Sequence, residues 1–192
     1  MGIANRSQRL FTEEEYLSLE DEALEKSEFF QGRIYAMAGG SYDHAAISIN
    51  IGGELRSLLK GKKCQVSSSD TRVKVPNSSL NTYPDVTIVC GKPELHLYKK
   101  TQTLLNPTLI VEVLSSTTET YDRGDKFENY KLIPSLTDYL LVAQNKAKVE
   151  HFVRQADGTW NCTVSQGLGA TVKIDSLECE LPLSEIYLKV DL

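Results

Sequence analysis

The sequence predicts an α/β (α+β) domain with one central mixed β-sheet flanked by helices. Three observations carry that prediction. Leu109–Leu114 (LIVEVL) is a nearly continuous apolar run, as expected of a strand buried on both faces. Glu28–Ala38 reads as a hairpin turning at Gln31–Gly32. Asp43–Lys60 places Ile47, Ile51, Leu55 and Leu58 at helical spacing. At 192 residues the whole chain, 1–192, is expected to form a single domain.

The remaining elements follow in order. Thr12 with Glu15 three residues on is a capping-box signature for a short helix over Phe11–Leu19. Gly52 and Gly53 inside the 43–60 helix predict that something packs closely against them. Short strands are expected at Cys64–Ser68, Thr71–Val75 and Pro84–Cys90, ahead of Leu109–Leu114. One helix is expected from Thr117 or Thr118 to about Leu132, closed by Pro134. Strands at Thr137–Ala143, Lys148–Arg154 and Thr159–Ser165 come next, the last two joined at Asp157–Gly158. One more strand and a helical turn near Leu183–Ile186 complete the chain.

Composition excludes several classes. A 41% hydrophobic and 24% charged chain is neither disordered nor of low complexity. No apolar run approaches the ~18 residues of a membrane helix. The first residues lack a secretory apolar core, so a cytoplasmic location with no membrane partner is expected. A net charge of −5 argues against non-specific coating of nucleic acid, though not against a local basic groove. Such a groove could draw on Arg56, Lys60, Lys62 and Lys63, or on Lys92, Lys99 and Lys100 in a segment with no clear strand pattern. Cys64, Cys90, Cys162 and Cys179 form no CxxC pair and lie far from His44, His96 and His151. They are expected to be reduced, partly buried hydrophobes rather than zinc ligands.

Glu112 is the most informative residue. A carboxylate inside LIVEVL requires a cation, a metal or donated hydrogen bonds. Asp85 follows Pro84 at the head of a second apolar strand. Two carboxylates on adjacent strands can hold a hard cation such as Mg²⁺. Taken singly, each reads more readily as structural, Asp85 capping a strand entry and Glu112 paired with a buried Lys. His44 can bind a phosphate oxygen, orient a water, or pack around Tyr42. Phe29, Phe30, Tyr35 and Tyr139 occupy strand positions and read as core rather than base-stacking groups. His96 and His151 carry no motif.

Pro84-Asp85, 26 intervening residues, then Glu112-Val113-Leu114 resembles the PD-(D/E)XK signature of restriction-endonuclease-like nucleases. Together with EFFQGRIYAM (28–37), the His44 helix, Val111–Ser115, and Asp122-Arg123-Gly124-Asp125-Lys126 with Tyr130, the chain resembles the Uma-type family of bacterial endonucleases. The resemblance runs from about Phe11 to Leu188. It implies the restriction-endonuclease-like fold, a divalent metal (Mg²⁺ or Mn²⁺), hydrolysis of DNA phosphodiesters and a homodimer. By it, Asp85, Glu112 and the Val113 carbonyl are metal ligands, and Glu28, His44 and Tyr130 shape the site. Leu114 stands where the superfamily has Lys, and Lys126 is the implied replacement. Without the resemblance, Lys126 reads as an exposed lysine paired with Asp122. The alternatives are an inactive nuclease-fold module acting in interactions or structure, and a hydrolase of another phosphate ester.

Overall fold

The computed structural model describes residues 9–99 and 101–192, so Lys100 lies outside the described residues. The architecture is mixed α+β, with two six-stranded sheets where one was expected. Helix α1 (Glu13–Glu22) begins at the Thr12–Glu15 capping box. Strands β1 (Ser27–Phe30) and β2 (Arg33–Ala36) form the expected hairpin. Both Gln31 and Gly32 have positive φ, 49° and 78°, as a two-residue turn between twisted strands requires.

Helix α2 (Tyr42–Leu58) buries Ile47, Ile51 and Leu55 and is capped by Ser41, whose hydroxyl accepts the His44 N–H. The expectation of close packing at its glycines does not hold. Gly52 meets only Val86 at ordinary contact distance, and a side chain on Gly53 would have nothing within 4 Å.

One sheet continues through β3 (Cys64–Ser68), β6 (Val86–Cys90), β9 (Leu109–Leu114), β10 (Asp138–Ala143), β11 (Lys148–Arg154) and β12 (Trp160–Gln166). Its spatial order is β12-β11-β10-β9-β6-β3, with β9 and β10 parallel and the other neighbours antiparallel. The second sheet has the order β2-β1-β5-β4-β8-β7. It adds β4 (Arg72–Lys74), β5 (Asn81–Thr82), β7 (Leu95–Tyr98) and β8 (Thr101–Leu104). The β7–β8 hairpin corrects the patternless segment expected around Lys99, which occupies its turn with φ 49°. Strands β13 (Thr171–Ile174) and β14 (Cys179–Pro182) pair with each other, where one strand was expected, and α5 (Leu183–Ile186) follows.

The parallel β9–β10 connection carries helix at 119–130, as a parallel pair needs a crossover. The single helix expected there is two, α3 (Glu119–Arg123) and α4 (Asp125–Tyr130), broken at Gly124. A Cβ at Gly124 would lie 3.1 Å from the Thr120 carbonyl oxygen.

Two cores result. Ile47, Ile51 and Leu55 pack with Val86, Val111, Val113 and Leu140 on one face of the larger sheet. On the other face Ile110, Leu114 and Tyr139 meet Phe127 and Tyr130 of α4, Val73 of β4 and Leu80 just before β5. Phe29 and Tyr139 are buried, as expected of core aromatics.

Cys64 and Cys90 stand opposite each other across β3 and β6 and form a disulfide, which corrects the expectation that all four cysteines are reduced. Cys162 and Cys179 are free.

Candidate metal centre of a nuclease-like fold

The larger sheet builds the site at the seam between β6 and β9. Val86 pairs with Val111 in an antiparallel ladder, so the next register step sets Asp85 opposite Glu112. Cross-strand partners share a face, which brings both carboxylates to the side covered by α3 and α4. The backbone ladder ends at Val86–Val111, and beyond it the Asp85 side chain stands in for a backbone carbonyl, its Oδ2 accepting the Val113 N–H at 2.7 Å.

Glu112 is 4% exposed. Its Oε1 accepts the Tyr130 hydroxyl at 2.8 Å and lies 3.0 Å from Lys126 Nζ. Lys126 is buried rather than exposed, and its ammonium also lies 3.2 Å from Glu28 Oε1 and 3.4 Å from Asp122 Oδ1. Glu28 comes from β1 of the second sheet and additionally accepts the Thr82 hydroxyl. At the other end, His44 Nε2 lies 3.2 Å from Asp85 Oδ2. Thus Asp85, Glu112, Val113, Lys126, Glu28, His44 and Tyr130 form one contiguous cluster.

Two members went unrecognised in the sequence. Asp122 is buried beside Lys126, and the Lys126 ammonium sits 5.8 Å from the centre of the Tyr121 ring. The Asp122–Lys126 spacing of four was a usable signal, since it puts both groups on one helical face. It resembled a surface pair because α3 was not known to lie over Glu112.

Burial dominates at Glu112. Loss of hydration raises its carboxyl to about 8 against the pull of Lys126, with Asp122 and Asp85 adding to the rise. Asp122 is raised for the same first reason. Burial opposes the Lys126 charge, but Glu112, Tyr130, Glu28 and Asp122 outweigh it and hold the ammonium well above its ordinary value. The hydrogen bond to Asp85 raises His44, and the Val113 backbone contributes in the same direction.

Three carboxylates, Glu28, Glu112 and Asp122, therefore surround one permanent cation, and a fourth, Asp85, faces His44, a second cation when protonated. Neither Asp85 Oδ1 nor Glu112 Oε2 receives a hydrogen bond from any described residue. Hard, unshared oxygens in excess of local positive charge suit a divalent cation of the Mg²⁺ type. Among the described residues, no group of three His, Cys, Asp or Glu side chains is arranged to hold an ion by side chains alone.

Among the described residues, Arg56, Lys60, Lys62, Lys63, Lys92 and Lys99 make no ion pair with the acids of this cluster. Lys60 is 16 residues along from His44, roughly 24 Å of helix if the α2 rise is extended to it. Lys62 is engaged by the Leu177 and Glu178 carbonyls. Lys99, in the β7–β8 turn, donates to the Ser18 hydroxyl of α1.

Residues 13–184 match the family model "Uma2: Putative restriction endonuclease". The chain belongs to the Uma2 family. Among Uma2-related sequences, the protein slr1290 of Synechocystis sp. is 41% identical over 147 residues, which cover 77% of this chain and 76% of the relative. A second Synechocystis sp. protein, sll1609, is 33% identical over 170 residues, covering 88% and 96%. Both carry the description "uncharacterized". The Uma2 chain also superposes with a TM-score of 0.73 on the crystal structure of "a putative nuclease belonging to DUF820" from Anabaena variabilis. That match covers 92% of this chain and 97% of the other at 18% identity, and it establishes the likeness of fold. No helix among the described residues is long and apolar enough to cross a membrane.

Proposed function

We propose that this Uma2 chain is a metal-dependent endonuclease that hydrolyses DNA phosphodiester bonds, with Mg²⁺ or Mn²⁺ as cofactor. The observation that carries the reading is the apposition of Asp85 and Glu112 across the β6–β9 seam, with a buried lysine on Glu112, in a chain of this family. Asp85, Glu112 and the Val113 carbonyl are the residues that would hold the ion. When bound, the ion supplies Lewis-acid polarisation of the phosphate and eases deprotonation of a water.

The chain's own residues do the positioning. Tyr130 fixes one oxygen of Glu112, and Val113 N–H with His44 fixes one oxygen of Asp85. Lys126, held between Glu112, Glu28 and Asp122, offers a permanent positive charge to the attacking water or to charge growing on phosphate oxygens. A homodimer, with two such sites for two strands, and a cytoplasmic location complete the proposal. The Cys64–Cys90 bond withdraws the support that reduced cysteines would have given that location.

The test is titration of Mn²⁺ into wild type and Glu112→Gln by calorimetry, with plasmid nicking on the same samples and sedimentation for the dimer. Metal-dependent nicking that is lost in Glu112→Gln supports the reading. Glu112-dependent binding without nicking of any DNA form, or with cleavage only of small phosphodiesters, replaces DNA as the substrate. Absence of metal binding in a stable wild type overturns the metal centre.

A further inference from the structure

The loop before α2 contains two adjacent glycines that look interchangeable in sequence and are not in space. A Cβ built on Gly40 would fall 2.7 Å from His44 Nδ1, 2.9 Å from His44 Cγ and 3.3 Å from His44 Cβ. Contacts that short do not occur between a real Cβ and a ring, and they involve the root of the imidazole as well as its edge. Rotation of the ring tip alone therefore cannot relieve them. A Cβ on Gly39 would meet nothing within 4 Å. Neither glycine has a φ in the left-handed region, so an alanine at either position suffers no backbone strain.

The surroundings leave His44 little freedom to escape. Its backbone N–H is tied to the Ser41 hydroxyl at 3.1 Å, and Gln144 Nε2 donates to the same hydroxyl at 2.6 Å, linking the loop to the chain just past β10. The far side of the ring meets Asp85, 3.2 Å from Nε2 to Oδ2. Asp85 Oδ2 is thus shared between His44 and the Val113 N–H, and Oδ1 receives no hydrogen bond from a described residue.

We propose that Gly40 is a positioning residue: its missing Cβ makes the space in which the His44 imidazole reaches Asp85, and that contact keeps Asp85 Oδ1 free for a cation. The role of the cation rests on the metal-dependent reading above; the seating of His44 by Gly40 does not.

Paired substitutions test it. Gly40→Ala, Gly39→Ala, His44→Gln and the Gly40→Ala/His44→Gln double variant are compared by long-range ¹H–¹⁵N spectra of the imidazoles and by Mn²⁺ calorimetry. The His44 ring signals are assigned by their loss in His44→Gln. Gly40→Ala is expected to move those signals and to weaken Mn²⁺ binding about tenfold, the lower end for disturbing a residue that supports a ligand. Gly39→Ala is expected to match wild type, and the double variant to bind no more weakly than His44→Gln alone. Ring signals in Gly40→Ala that match wild type, or effects that add in the double variant, overturn the proposal. If wild type binds no Mn²⁺, the metal reading fails, and the ring signals still decide the role of Gly40.

Discussion

Two buried carboxylates sit on the neighbouring parallel strands β9 and β10, and the protein treats them in opposite ways. Asp138, 1% exposed, satisfies both oxygens: Oδ1 takes His151 Nε2 at 2.6 Å, and Oδ2 takes the hydroxyls of Thr137, at 2.7 Å, and Ser176. Burial pushes its carboxyl up, but the bonds from His151, Ser176 and Thr137 prevail and hold it below the ordinary value. Glu112, at similar depth on the opposite face, has donors on one oxygen only, and burial prevails. Depth alone therefore does not mark a functional acid. What separates the pair is the count of donated hydrogen bonds and the number of like charges nearby. Asp138 is a finished internal contact fastening β10 to β11 and to the turn at Ser176, whereas Glu112 belongs to a cluster with negative charge to spare.

That contrast breaks or holds under substitution. The largest expected effect is on activity: Glu112→Gln should lower metal-dependent nicking roughly 10³-fold, the several kcal/mol that such an ion supplies. Asp138→Ala should leave Mn²⁺ affinity of the folded protein unchanged and lower unfolding free energy by about 3–5 kcal/mol in a urea titration, because His151 loses its buried partner. If Asp138→Ala instead abolishes metal binding, the two acids are not separable.

The pH dependence of stability should differ in sign. At Glu112 the folded carboxyl, about 8, lies above its unfolded value of 4.5, so the native state holds the proton longer and stability falls as pH rises between those values. Glu112→Gln should flatten that fall, seen in urea midpoints from pH 5 to 8. Asp138 is lowered, so its contribution is present above the unfolded value of 3.8 and is lost as pH drops through the folded one. Tyr130→Phe should have the smallest effect. It removes one hydrogen bond to Glu112, worth about 1.5–3 kcal/mol if the acceptor is charged, and raises that carboxyl further. The calorimetric pH dependence of Mn²⁺ binding should then shift upward.

Much of this was legible because single segments carried it. LIVEVL contains its own contradiction, an acid in an apolar strand, and Gln31–Gly32 specifies its turn locally. The second sheet was not legible as a sheet. Its β1–β2 hairpin and strand β4 were expected singly, but β5 is two residues long, too short for periodicity to register, and β7 keeps Leu95 and Leu97 exposed. The burial of Asp122 depends on the orientation of α3 over the sheet. The Cys64–Cys90 bond depends on antiparallel register between β3 and β6, which no local pattern encodes. The site residues came from an ordered set of motifs, while their mutual contacts came from the fold.

Asp85 is also a rung of the sheet, since its side chain accepts the Val113 N–H just beyond the last backbone pair of the β6–β9 ladder. Its two oxygens consequently answer to different masters, one to architecture and one to chemistry. An Asp85→Ala variant would unpick the β6–β9 seam and remove a ligand together, so its inactivity would be uninterpretable. Asp85→Asn retains a carbonyl oxygen for the Val113 N–H while deleting the charge. It is the isosteric exchange through which this seam reports on catalysis alone.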